Sequence, residues 1–177
     1  NLRQALRLYL RNRDPLGQAR VYNSLGQTCL EMGRLDEALL FLQKAERLCL
    51  DLGADAELAA IYGKLGTVHL HREDYVRAVD LHRRDVELCR RFGNARALAF
   101  AMRNLGLSLR ARGDLEEAGS CLAEALYSFQ ALQDQALAMR VHLDLAEVWL
   151  DWGRLPEADR NLRLSRECLH QDSPDPD

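Results

Sequence analysis

The stretch from Met102 to Ala118 reads MRNLGLSLRARGDLEEA, and the chain says nearly the same thing three more times. Asn23 to Ala38 is NSLGQTCLEMGRLDEA, Gly63 to Ala78 is GKLGTVHLHREDYVRA, and Leu143 to Ala158 is LDLAEVWLDWGRLPEA. The four superpose without a gap at a step of forty residues. Leu25, Leu65, Leu105 and Leu145 share one position, Gly26, Gly66, Gly106 and Ala146 the next, and Ala38, Ala78, Ala118 and Ala158 a third. A fixed period of this length predicts a solenoid, in which each copy hides against its neighbour a face it cannot bury alone.

Outward from that stretch, each copy resolves into two helices. In the first, helix A is predicted near Leu16 to Met32 and helix B near Asp36 to Leu52. Val21, Leu25, Cys29 and Met32 step by four and three along A, and Ala38, Leu42, Ala45, Leu48 and Cys49 do the same along B, giving each helix one apolar stripe. Gly33 closes A, since glycine takes the left-handed conformation without steric cost. Asp36 and Glu37 open B, where carboxylates meet the positive end of the helix dipole. A glycine inside a helix costs about 1 kcal/mol relative to alanine. Its recurrence at 26, 66 and 106 therefore predicts a close approach of helix A to helix B, small against small, with the alanines at 38, 78, 118 and 158 opposite. Glu73 stands where the other copies have glycine, which predicts a differently shaped turn, and Gln133 replaces Gly53 and Gly93, which predicts another kind of cap.

The division that follows is a repeat over 15–55, a second over 56–95, a third over 96–135 and a fourth over 136–170. Residues 1–14 are read as the second helix of a truncated repeat, because Leu2 to Asn12 aligns with Leu42 to Leu52, and Arg13 to Gly17 as a turn around Pro15. Residues 171–177 form an acidic, proline-broken tail or linker.

Composition agrees with an all-α chain. Of the residues 47% are hydrophobic but only 6% aromatic, the bias is to Leu and Ala, and four prolines interrupt it. The 24 Lys and Arg against 27 Asp and Glu give a net charge of −3, which argues against a nucleic-acid partner. No run approaches about eighteen apolar residues, which argues against a membrane span. Cys29, Cys49, Cys89, Cys121 and Cys168 show no C-x-x-C spacing. They read as small buried hydrophobes in a reducing compartment, and the location expected is cytoplasmic. No glycine-rich phosphate loop, G-x-S-x-G or H-E-x-x-H occurs, so neither an enzyme nor a cofactor is expected. His69 and His71 are two apart and point to different helix faces, which argues against a metal site. His69 shares the bulky position of Cys29, Leu109 and Trp149 and reads as core. Trp149 reads as core too, and Trp152 as an end cap or an exposed contact.

A helix pair carrying L-G, a bulky residue a few positions on, and then G-x-[LY]-x-x-A resembles the tetratricopeptide repeat. The forty-residue period is similar to the longer subtype of the Pins/LGN-like adaptors and of many bacterial signalling proteins. The resemblance implies a right-handed superhelix whose A helices line a concave groove that receives a peptide or partner helix. Carried over position by position, the groove residues are Arg20, Asn23, Ser24, Gln27 and Glu31, then Ala60, Lys64, Thr67 and His71. They continue with Phe100, Arg103, Asn104, Leu107 and Arg110, and end with Arg140, Asp144, Glu147 and Asp151. On these positions the groove is expected to be basic in its middle and acidic at its C-terminal end, suiting an acidic partner segment, with Phe100 as an aromatic anchor. The function expected is a protein-interaction adaptor. Two rivals stand beside it: a regulatory sensor module of a larger signalling protein, and a structural spacer that self-associates through its truncated ends.

Overall fold

The computed structural model describes residues 14–171. The readings of residues 1–13 as part of a truncated repeat and of the acidic tail beyond Gln171 lie outside the described residues. Among the described residues every regular element is an α-helix: α1 (Pro15–Glu31), α2 (Leu35–Leu52), α3 (Asp55–His71), α4 (Tyr75–Phe92), α5 (Ala95–Arg112), α6 (Leu115–Ala131), α7 (Gln135–Asp151) and α8 (Leu155–Gln171). The chain forms two compact units, one ending at Phe92 and the other starting at Gly93. The first holds the hairpins α1/α2 and α3/α4; the second holds α5/α6 and α7/α8.

Local chemistry sets the helix ends. Asp14 caps α1 by accepting the Gly17 N–H at 2.8 Å, and Pro15 follows as the first helical residue, where its missing N–H is not needed. Of the turn expected over Arg13 to Gly17, the described part, from Asp14 on, is a capped helix start. Asn94 and Asp134 cap α5 and α7 through the Ala97 and Leu137 N–H groups at 3.0 and 3.1 Å.

Turns within hairpins use Gly33, Gly113 and Gly153 at φ of 71°, 96° and 76°. Each returns the next N–H to a carbonyl five residues back, as in Arg34 N–H to Cys29 O at 2.8 Å. Glu73 does the same without being glycine: its φ is 61°, and Asp74 N–H reaches His69 O at 2.9 Å. Gln133, at φ 56°, likewise repeats the closure of Gly53 and Gly93, with Asp134 N–H on Phe129 O at 3.0 Å. Neither a differently shaped turn nor another cap is needed. The backbone bonds are identical and the side chain carries the strain, roughly 1–2 kcal/mol for an L-residue in this region.

The recurrent helix-A glycine accommodates bulk, which corrects the expectation of small against small. A Cβ on Gly26 would lie 2.6 Å from Leu42 Cγ, and one on Gly106 would lie 2.7 Å from Leu122 Cγ. Gly66 has the His82 ring at 2.5 Å from the same point. Leu42, His82 and Leu122 are all fully buried. The alanine of helix B contributes only the nearby carbonyl, as Ala38 O does at 3.4 Å from the Gly26 site. In the last hairpin Ala146 replaces the glycine, and the matching Leu162 stands 36% exposed.

A related exchange occurs between α6 and α7, where Gly119 leaves space for the Trp149 ring at 3.1 Å from its missing Cβ. Trp149 and Trp152 stack, centroids 5.5 Å apart and planes 14° apart, with the Arg154 guanidinium 4.0 Å from the Trp152 ring. They form a half-buried slab, so Trp149 is less enclosed than a core residue. His69 is buried as expected, and the five cysteines are free thiols, four of them buried.

Within each unit the first helices of successive hairpins approach each other, α1 to α3 and α5 to α7, whereas the second helices, α2 and α4 or α6 and α8, come no closer than 8 Å between Cα atoms. Each unit is therefore narrower on its first-helix side. No helix among the described residues is long and apolar enough to cross a membrane.

Candidate functional site

The face made by the first helices carries the residues expected to line a groove, and the two units arrange them differently. In the second unit that face is bound together by ion pairs. Arg103 on α5 grips Asp144 on α7 with both ends of its guanidinium, the Nη2 to Oδ1 bond being 3.1 Å. Arg110 reaches both Glu147 and Asp151, the latter at 2.6 Å from Nε, and Arg96 donates to Asp134 at 2.6 Å. The partners are 37 to 41 residues apart, because first helices one repeat apart lie side by side. The expected basic middle and acidic end are thus neutralised against each other within this unit: Arg103 and Arg110 do not present free positive charge, nor Asp144, Glu147 and Asp151 a separate acidic end.

Phe100 lies on the same face, 37% exposed, with its ring edge-on to buried Phe129 at 5.2 Å and the Arg96 guanidinium 6.0 Å from its centroid. Asn104 and Leu107 are half-buried beside these pairs on α5, and Arg140 on α7 is exposed.

The first unit presents a sparser face. Arg20 on α1 pairs with Glu57 on α3 at 2.7 Å. Ser24 and Thr67 turn their hydroxyls to carbonyls one turn back, Arg20 O and Gly63 O, and Gln27 bonds Glu31 at 2.7 Å along the same helix. His71 and Ala60 are exposed. Asn23 and Lys64 hold the positions that Arg103 and Asp144 hold eighty residues later, yet they form no such rung. The Asn23 Oδ1 is buried without a hydrogen-bond partner, and the Lys64 ammonium donates only a long bond, 3.5 Å, to Ala60 O.

Behind Lys64 lies a buried polar group that sequence reasoning missed. Asp85 on α4 is 7% exposed and occupies the position of the fully buried Ala45 and Ala125. It fits because Gly63 has no side chain: a Cβ there would meet Asp85 Oδ2 at 2.6 Å. Burial pushes its carboxyl up to about 6, opposed by the Cys89 thiol, which donates to Oδ1 at 3.3 Å, and by Lys64. Burial also lowers Lys64, with Asp85 pulling the other way. Cys89 is pushed up to about 12 by burial and by Asp85, which makes it a thiol and not a thiolate. One turn back, buried His82 is held down to about 4, its Nε2 3.1 Å from Gly63 O. A signal existed: Asp85 interrupts an alanine position, and Gly63 stands where the other copies have Asn23, Arg103 and Leu143.

Nothing in this arrangement resembles a nucleophile and base held over a substrate cleft.

Residues 1–51 and 57–126 match the tetratricopeptide repeat family. Over 114 residues the chain is 28% identical to G-protein-signaling modulator 1 of Homo sapiens, a match covering 58% of this chain and 16% of that relative. The chain spans under a fifth of that curated relative's length. Among solved structures it is similar to BtubC (BKLC) from P. vanneervenii, with 20% identity and a TM-score of 0.85 over 99% of this chain and 77% of that one. It is also similar to a Signal Transduction ATPase with Numerous Domains with a tetratricopeptide repeat sensor from Pyrococcus horikoshii. That likeness has 16% identity and a TM-score of 0.79 over 89% of this chain and 24% of the other. At these identities the solved structures show a shared fold.

Proposed function

Because the chain belongs to the tetratricopeptide repeat family, we propose that it is a non-enzymatic scaffold that holds a peptide or helical segment of a partner protein against its first-helix faces. The observation that carries the reading is the open rung of the first unit. There the Asn23 Oδ1 is buried without a partner, and half-buried Lys64 makes no ion pair to α1, the opposite charge that acts on it being buried Asp85 on α4. Both groups sit where the second unit closes an Arg103–Asp144 pair. A carboxylate of the partner would satisfy Lys64 by a charge-assisted hydrogen bond, so the acidic segment belongs to this unit. In the second unit Phe100 and Leu107 offer apolar contact between ion pairs that keep α5 and α7 aligned.

The test is selection of binding peptides from a random library with the whole chain, followed by mapping of amide shifts. The expected map covers Asn23, Gln27, Lys64 and Thr67 of the first unit, and the selected peptides are enriched in Asp and Glu. Lys64→Glu weakens them about ten- to a hundredfold, the worth of one charged hydrogen bond, and leaves helicity unchanged. Peptides that bind the variant equally well, or that map to the outer faces of α2 and α6, would refute the reading.

A regulatory sensor module of a larger protein remains the second reading, favoured by the likeness to the repeat-bearing ATPase of Pyrococcus horikoshii. Repeats placed beside a catalytic or DNA-binding domain in the full-length protein would support it. Self-association through the chain ends concerns residues outside those described, and light scattering across a concentration series decides it.

A further inference from the structure

The open rung of the first unit has a second charge behind it. Lys64 on α3 is half-buried, and the Asp85 carboxylate on α4 is buried. Little holds that carboxylate in its ionised form. The Cys89 thiol donates to Oδ1 at 3.3 Å, a weaker donor than the N–H groups that steady a buried carboxylate. The other oxygen, Oδ2, lies in the space left by Gly63, 2.6 Å from where a Cβ would stand. Within the first unit α4 packs against α3, and the charged group that acts on Asp85 from there is Lys64, which favours the ionised form. On α4 itself Cys89, pushed up to about 12, is a thiol throughout pH 5 to 7.5, and His82, held down to about 4, is neutral throughout it. Asp85 is therefore the group of this set whose charge changes in that range. Its counterparts in the first and third repeats, Ala45 and Ala125, bring no second charge.

We propose that Asp85 regulates the acidic-segment site: a partner carboxylate that binds Lys64 is taken up together with a proton from solvent, which settles on the Asp85 carboxylate. This rests on the reading of Lys64 given above. The reason is charge balance. Before binding, one buried carboxylate faces one half-buried ammonium. A partner carboxylate brings a second negative charge to the same ammonium, and in a poorly hydrated site like charges repel far more than in water. A proton on Asp85 leaves one ammonium facing one carboxylate, the balance that Arg103 and Asp144 reach in the second unit. Burial already holds Asp85 up to about 6, so the exchange falls within an accessible pH range. The sign follows from reciprocity: the bound chain holds the extra proton, so affinity rises as pH falls through that value. The partner's own carboxylates, titrating near about 4, stay mostly ionised down to about pH 5.

The experiment uses the whole chain and the tightest acidic peptide from the library selection, capped at both ends so that only its side chains titrate. Calorimetry gives Kd at about pH 7.5 and about pH 5, and at about pH 6.5 in two buffers of different ionisation enthalpy it counts the protons taken up on binding. The expected result is a Kd about three- to sevenfold lower at the acid end and an uptake of about a quarter to half a proton per peptide at the middle value. Asp85→Asn removes the charge at constant size. It should bind about three- to tenfold tighter than the natural chain at the alkaline end, with nearly the same Kd at both ends and no proton uptake. If that variant does not fold, Asp85→Ala, the residue of the first and third repeats, answers the same question. Equal Kd at both ends without proton uptake, or an unchanged pH dependence in a folded Asp85 variant, would overturn this inference and leave the acidic-segment reading standing. Selected peptides that are not acidic, or that bind Lys64→Glu undiminished, would remove that reading and this inference with it.

Discussion

Two buried ionisable groups of α4, His82 and Asp85, make opposite demands on pH between 4 and 6, and separating them is a sharp test of the packing around Gly63 and Gly66. His82 falls from 6.5 to about 4 in the folded chain through burial, opposed by its contact with Gly63 O. At pH 4 to 6.5 the unfolded chain therefore binds the extra proton, and stability rises with pH across that window. Asp85 rises from 3.8 to about 6, again through burial. Between those values the folded chain holds the extra proton, so its contribution falls as pH rises. At about 1.4 kcal/mol per pH unit, each group shifts stability by about 3 kcal/mol, and over roughly pH 4 to 6 the two slopes cancel. The repeats themselves supply clean perturbations: His82→Leu places the residue found at 42 and 122, and Asp85→Ala the residue found at 45 and 125. Urea unfolding followed by circular dichroism, with hydrogen exchange of α4 amides to isolate the first unit, gives the stability of both variants at pH 4 and 6. His82→Leu should lose about 2 kcal/mol over that interval and Asp85→Ala should gain about 2 kcal/mol, a divergence of about 4 kcal/mol from which other carboxylates drop out. Parallel pH profiles for the two variants would show that one or both groups are solvated and that the packing around Gly63 and Gly66 is misdescribed.

Two further outcomes follow from the turns and the crossings. Glu73→Gly and Gln133→Gly should each stabilise the fold by about 0.5–1 kcal/mol, the strain of an L-residue less the extra freedom of unfolded glycine, and denaturant midpoints check it; a loss in both would mean that neither turn is left-handed. Gly106→Ala should cost about 1–3 kcal/mol by driving a methyl into Leu122, with partial recovery when Leu122→Val is added, read by the same unfolding curves.

Period, helix count per repeat and the glycine closures were legible because they recur, and recurrence survives any single exception. The helix starts were read less well, since Asp14 and Pro15 together look like a turn until the side chain is seen accepting the Gly17 N–H at 2.8 Å. At Glu73 and Gln133 composition misled, because the left-handed closure is enforced by backbone bonds that tolerate a strained side chain. The candidate face was legible in its membership and illegible in its charge. Arg103 and Asp144 sit on the same face one repeat apart, but their pairing depends on how closely α5 and α7 lie, a distance that no single-helix pattern contains. Asp85 was hidden for a similar reason, since its burial depends on the absence of a side chain at Gly63, on another helix.

The exchanges of glycine for bulk also bear on how such a chain can be recombined. Gly66 and His82 travel together in one hairpin, as do Gly26 with Leu42 and Gly106 with Leu122, so each of these modules carries its own lock and key. Gly119 and Trp149 straddle a junction between hairpins. A graft cut at that junction would strand the Trp149 indole against a foreign side chain, whereas a cut between the first two hairpins would leave each of their glycine fits whole.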